Sequence, residues 1–87
     1  MIYQIVYSKK FAKNIKEIPQ QYQANIRVRV NDLARNPRPS VCKKLVGATD
    51  LYRIRIGVYR VIYQIVDNEL LIVAINVDHR SRIYENH

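Results

Sequence analysis

The spacing of hydrophobic residues changes along this chain from a strand period to a helix period and back, and those changes divide it into elements. Ile2 to Tyr7 is short, rich in β-formers and bounded by Ser8-Lys9-Lys10, so a first strand is expected there. Ser8 suits a helix N-cap, and Phe11, Ile15 and Ile18 follow on one helical face. Pro19 closes that helix and opens the next, whose apolar stripe is Tyr22, Ile26, Val30 and Leu33, ending at Asn36-Pro37. So short a connection makes the two helices an α-hairpin. Asn36 to Thr49, broken by Pro37, Pro39, Ser40 and Gly47, reads as a connection.

Three strands are expected after it. Leu51 to Ile56 alternates in character, Val58 to Val66 follows a turn at Gly57, and Asp67-Asn68 is a two-residue hairpin signal leading into Glu69 to Val77. In that last strand Leu71, Val73, Ile75 and Val77 are expected to share one face, with Leu70, Ile72 and Ala74 on the other. A strand apolar on both faces belongs inside the sheet. His79 to His87 is a polar C-terminal segment. The order β-α-α-β-β-β predicts one α+β domain over residues 1–87. Its N-terminal strand and α-hairpin accompany a mainly antiparallel four-stranded sheet, with the hairpin covering one face.

Charge adds a partner to this picture. Fifteen Lys and Arg against seven Asp and Glu leave a net charge of +8 on 87 residues. That excess suits an acidic partner, whether nucleic acid, an anionic membrane or an acidic protein. No apolar run approaches the ~20 residues that span a bilayer, so a cytoplasmic protein with no membrane partner is expected. Cys42 is the only cysteine, which excludes an intrachain disulfide and a cysteine zinc cluster. The acids are dispersed, His79 and His87 lack a third strong ligand nearby, and only Gly47 and Gly57 are available for a phosphate loop. No metal or other cofactor is expected.

The candidate chemistry lies in Tyr52-Arg53-Ile54-Arg55-Ile56-Gly57-Val58-Tyr59-Arg60 and in His79-Arg80-Ser81-Arg82-Ile83-Tyr84. Alternation sends Ile54 and Ile56 to the core and stands Arg53 and Arg55 together on the other face. Arg60, just beyond the turn, approaches that pair, and the C-terminal segment can bring Arg80 and Tyr84 over the same surface. Neighbouring guanidiniums repel, so fold stability gives no reason to collect them, whereas a phosphodiester does. A tyrosine beside them offers a stacking platform for an unpaired base. The alternative is that such cations only keep an exposed strand from pairing with other chains, and that Tyr84 closes the core.

With Leu45-x-Gly47, Tyr52-Arg-Ile-Arg55, Tyr59-Arg-x-Ile-Tyr63 and His79-Arg80-x-x-x-Tyr84 in this order, the chain resembles the RelE/ParE toxin superfamily over nearly its whole length. The resemblance implies the toxin of a type II toxin–antitoxin system, and the cation set favours the RelE branch of ribosome-dependent, metal-independent mRNA endoribonucleases cutting A-site codons. It implies catalytic roles for Arg60, Arg80, Tyr84, Arg55 and Arg53, with Arg60 as the transition-state arginine. RNA contacts are expected from Arg53, Arg55, Arg82, Lys43 and Lys44, and His79 is a candidate acid or base. RelE members carry lysines where this chain has Arg53 and Arg55; arginine keeps its proton, so neither is a general base. The implied partners are a cognate acidic antitoxin, the 70S ribosome with its mRNA, and ribosomal RNA met by a basic surface of Lys9, Lys10, Lys13, Lys16, Arg27 and Arg29. The competing readings are a ParE-like inhibitor of DNA gyrase and a toxin fold without catalysis that serves as a binding module.

Overall fold

In the computed structural model, which describes residues 2–47 and 49–79, the strands and helices follow the expected order with one addition. Strand β1 is Gln4–Tyr7, helix α1 is Lys9–Ile15, helix α2 is Gln20–Asp32, and β2 is a two-residue strand, Lys43–Lys44. Strands β3 (Leu51–Ile56), β4 (Tyr59–Val66) and β5 (Leu71–His79) complete a five-stranded sheet ordered β1-β5-β4-β3-β2. The sheet therefore has one strand more than expected, because the Lys43–Lys44 edge is too short to show a pattern. β1 runs parallel to β5, with Ile5 opposite Ile72, and the other pairings are antiparallel.

Local chemistry accounts for the helices. The Ser8 side chain accepts the Phe11 N–H at 3.0 Å and caps α1. Pro19, extended at φ −53° and ψ 139°, precedes the first turn of α2. Phe11, Ile15, Ile18, Ile26, Val30 and Leu33 are buried against Tyr52, Ile54, Ile56, Tyr59, Val61, Tyr63, Ile65, Ile72, Ala74 and Val77 of the sheet. Tyr22 leaves the expected stripe: it is 44% exposed at the first turn of α2, with its ring 5.7 Å from Tyr59.

Two details of the strands differ from expectation. Asp67–Glu69 forms a short 3-10 turn rather than a two-residue hairpin, and the positive φ of 50° falls on Leu70, not on Asp67 or Asn68. In β5 the register jumps: Tyr63 faces Ala74 while Ile62 faces Asn76, leaving Ile75 as an inserted bulge residue. The bulge reverses the alternation, so the buried face carries Ile72 and Ala74 before it and Val77 after it. Val77 therefore does not share a face with Leu71 and Val73. The Ser8 hydroxyl donates to the Ile75 carbonyl, and Asn14 Nδ2 donates to Asn76 Oδ1 at 2.7 Å, so the start of α1 grips the bulge.

Candidate nucleic-acid interface

Cations gather on the sheet face opposite the helices because of one tight turn. Gly57, at φ +63°, takes the first position of the two-residue loop between β3 and β4, a conformation open to glycine. A loop of that length pairs Ile56 with Tyr59 and hence Arg55 with Arg60. Ile54 and Ile56 are 3% exposed and face the helices, which sends Arg53 and Arg55 to the other side. There the register builds two rows. One runs Lys43, Arg53, Ile62; the other runs Arg55, Arg60, Asp78.

Exposure within these rows is uneven. Arg55 is exposed, Arg53 is half-buried, and Arg60 is only 8% exposed. Beside the rows, Ser40, Val41, Lys43, Arg53 and Arg55 line a shallow basin of about 350 Å³. Three cationic side chains on one open concavity, with Arg60 next in the row, form a surface suited to successive phosphates.

A family model for the ParE toxin of type II toxin–antitoxin systems, parDE, matches residues 5–84. The chain belongs to the RelE/ParE toxin superfamily. Within that superfamily, toxin RelE3 of Methanocaldococcus jannaschii is 29% identical over 85 residues, spanning 93% of this chain and 94% of its own length. The archaeal RelE–RelB complex of Pyrococcus horikoshii contains a chain with 29% identity and a TM-score of 0.82, covering 94% of this chain and 99% of that one. The RelBE2 toxin–antitoxin complex of Mycobacterium tuberculosis gives 26% identity and a TM-score of 0.83, over 93% and 94% of the two chains.

Not every candidate residue of this RelE/ParE-superfamily chain reaches the cationic face. The register brings Arg53, Arg55, Arg60 and Lys43 together, but Lys44 pairs with Tyr52 and so points to the helix side. His79 pairs with Tyr59, and their rings meet edge-on at 5.4 Å, again on the helix side. Arg80, Arg82 and Tyr84 lie outside the described residues. The register also stands an acid, Asp78, directly opposite Arg60. The bulge hides this from a count of alternating positions.

Arg38 is the residue the sequence pattern misses. Its guanidinium lies 5.3 Å above the Tyr52 ring, donates from Nε to the Tyr52 hydroxyl at 3.1 Å, and pairs with Asp67 at 2.7 Å. Tyr3 donates its hydroxyl proton to the same carboxylate at 2.6 Å. Hydrogen bonds from Arg38 and Tyr3 hold the Asp67 carboxyl below its ordinary range, and the Asp67 bond raises the Tyr3 phenol. One residue earlier, the buried Tyr63 hydroxyl donates to the Pro37 carbonyl at 2.8 Å. Burial is the main cause of the strongly raised Tyr63 pKa. Together these bonds fasten Pro37 and Arg38 to the helix side of the sheet, and the chain then leads over the edge to Ser40, Val41 and Lys43 at the basin.

Proposed function

We propose that this chain is the toxin of a type II toxin–antitoxin pair and acts as a ribosome-dependent, metal-independent mRNA endoribonuclease. The observation that carries the reading is the Arg55–Arg60 cross-strand pair beside the Lys43–Arg53 pair: four cations on one sheet face, three of them lining an open basin. Like charges directly opposite one another weaken a sheet, and a polyanion bound in front of them reverses the sign of that term. The superfamily membership agrees, and in the related structures from P. horikoshii and M. tuberculosis the toxin is held by an antitoxin. A cognate acidic antitoxin is the second partner of this +8 chain. The exposed Lys9, Lys10, Lys13, Lys16, Arg27 and Arg29 form its contact with ribosomal RNA.

The reaction is attack of a ribose 2′-OH on the adjacent phosphorus, which expels the 5′-oxygen and leaves a 2′,3′-cyclic phosphate. Arg60 neutralises the charge that develops on the phosphorane, and Arg53, Arg55 and Arg80 hold flanking phosphates. Tyr84 stacks on a base or accepts the 2′-OH proton. The ring of His79 sits against Tyr59 on the helix side, which makes it the weaker candidate base.

Primer extension on a defined mRNA, with EDTA present and with or without translating ribosomes, tests the reading. Cleavage only on ribosomes and within A-site codons is the expected result, and Arg60→Ala should slow it by on the order of a hundredfold. Cleavage of free RNA would keep the nuclease and discard the ribosome. No cleavage in either tube would turn attention to gyrase supercoiling, the activity that a ParE-like reading implies, or to a non-catalytic binding module.

A further inference from the structure

We infer that Asp78 is a resident counter-ion for the arginine row, a positioning residue that competes with the RNA phosphate for Arg60 and so sets how tightly the face binds. The inference rests on the phosphate-binding reading of that face. Cross-strand neighbours lie about 4.5–5.5 Å apart at Cβ. Arg60 therefore stands between a cation, Arg55, on one side and a carboxylate, Asp78, on the other. The carboxylate offsets the repulsion between the two arginines when no polyanion is bound. An incoming phosphodiester must share or displace it, so part of the Arg60 attraction is already spent on Asp78.

The placement depends on the bulge. Without the extra residue at Ile75, alternation from Ala74 would turn Asp78 toward the helices and bring Val77 and His79 to the cationic face. The Ser8 hydroxyl on the Ile75 carbonyl and the hydrogen bond from Asn14 to Asn76 secure that geometry. A carboxylate is thus built into the row by a specific backbone device held from α1.

Asp78→Asn removes the charge and keeps the acceptor oxygen that takes the His79 N–H at 2.8 Å. Glu17→Gln, at an exposed position in the α1–α2 connection, makes the same change in net charge far from the row. The probe is a short fluorescein-labelled single-stranded RNA, followed by anisotropy at about 50 mM salt, where phosphate contacts are strongest. Asp78→Asn should bind about three- to tenfold more tightly than wild type and clearly more tightly than Glu17→Gln. The gain should vanish in an Arg60→Gln background, as a pairwise cycle requires. Asp78→Ser, another acceptor without charge, repeats the test should the asparagine variant fold poorly. Equal binding by Asp78→Asn and Glu17→Gln, or a gain that survives Arg60→Gln, overturns the role. Two failures are distinguishable. If Arg53→Ala weakens RNA binding while Asp78→Asn matches Glu17→Gln, the face stands and the counter-ion is refuted. If wild type, Arg53→Ala and Asp78→Asn all bind alike, the phosphate-binding face itself is wrong.

Discussion

Replacing Tyr63 by Phe isolates one bond that ties the fold to the basin. The Tyr63 side chain is 0% exposed, its ring stacks on Tyr52 at a centroid distance of 5.9 Å, and its hydroxyl donates to the Pro37 carbonyl. Phenylalanine keeps the ring, so the buried apolar area and the stacking are nearly conserved. What disappears is one hydrogen bond, with a net contribution of about 0.5–1.5 kcal/mol. The Pro37 carbonyl, in a half-buried residue, is left short of a partner, which brings the expected loss to about 1–2 kcal/mol. With a urea m-value of about 1 kcal/mol/M for a chain this small, the unfolding midpoint should fall by about 1–2 M at unchanged slope. The same loss lowers the melting temperature by about 5–10 °C. Since Pro37 opens the run that ends at Lys43 beside Arg53, affinity for the RNA probe should fall as well, by a factor of about two to five. A midpoint within about 0.3 M of wild type would show that this hydroxyl adds nothing and that the connection is held elsewhere.

Three shorter predictions follow from the same contacts. The raised pKa of Tyr63, caused mainly by burial, means that stability is intact below about pH 10 and lost as pH rises above it, because unfolded tyrosines ionise first. Near-ultraviolet tyrosinate absorbance should therefore show at least one of the seven tyrosines ionising only together with loss of the circular-dichroism signal; independent titration of all seven contradicts this. The depressed Asp67 carboxyl adds stability above its ordinary pKa of 3.8, lost as pH falls through its lower folded value. Asp67→Asn should melt below wild type at pH 7 and converge with it near about pH 2, and parallel curves across that range would count against the Arg38 pair. Ser8→Ala removes both the cap on Phe11 and the donor to Ile75, so a loss of about 1–3 kcal/mol in urea unfolding is expected, with faster amide exchange at Val77. Unchanged exchange there would detach α1 from the bulge.

How much of this was legible in the sequence depends on whether the signal is local. The cap at Ser8 and the stripe Phe11, Ile15, Ile26, Val30 and Leu33 repeat with the helix period, and all five apolar residues are buried. Arg53 and Arg55 opposite the core follow from alternation, and the approach of Arg60 to that pair follows from the turn at Gly57, although only the pairing shows the two-residue loop that sets Arg60 opposite Arg55. Non-local facts were silent. Nothing in Gln4–Tyr7 names β5 as its parallel partner, and two lysines at a sheet edge carry no period. The bulge at Ile75 looks like ordinary alternation, since Leu71, Val73, Ile75 and Val77 are all apolar; only the pairing shows that one position is inserted. The turn at Asp67–Glu69 misled for a different reason, because the left-handed residue is Leu70, a type that seldom adopts it. Arg38 was hidden because its partners Tyr52 and Asp67 are 14 and 29 residues away.

The cationic row also sets stability against function, in a way one substitution can measure. Arg55 is exposed, directly opposite Arg60, and its side chain adds no burial to the core. A like-charge cross-strand pair costs roughly 0.2–1 kcal/mol, and threonine at an exposed strand position is a better β-former than a repelled arginine. Asp78 offsets part of that repulsion, so Arg55→Thr should raise the melting temperature by only about 1–4 °C while weakening the RNA probe and slowing cleavage. Raising the salt should shrink the stability gain, because added ions already screen the repulsion in wild type. If Arg55→Thr instead lowers the melting temperature, the arginine is held by contacts that stabilise the fold, and the case for a face assembled to meet a polyanion loses its main physical support.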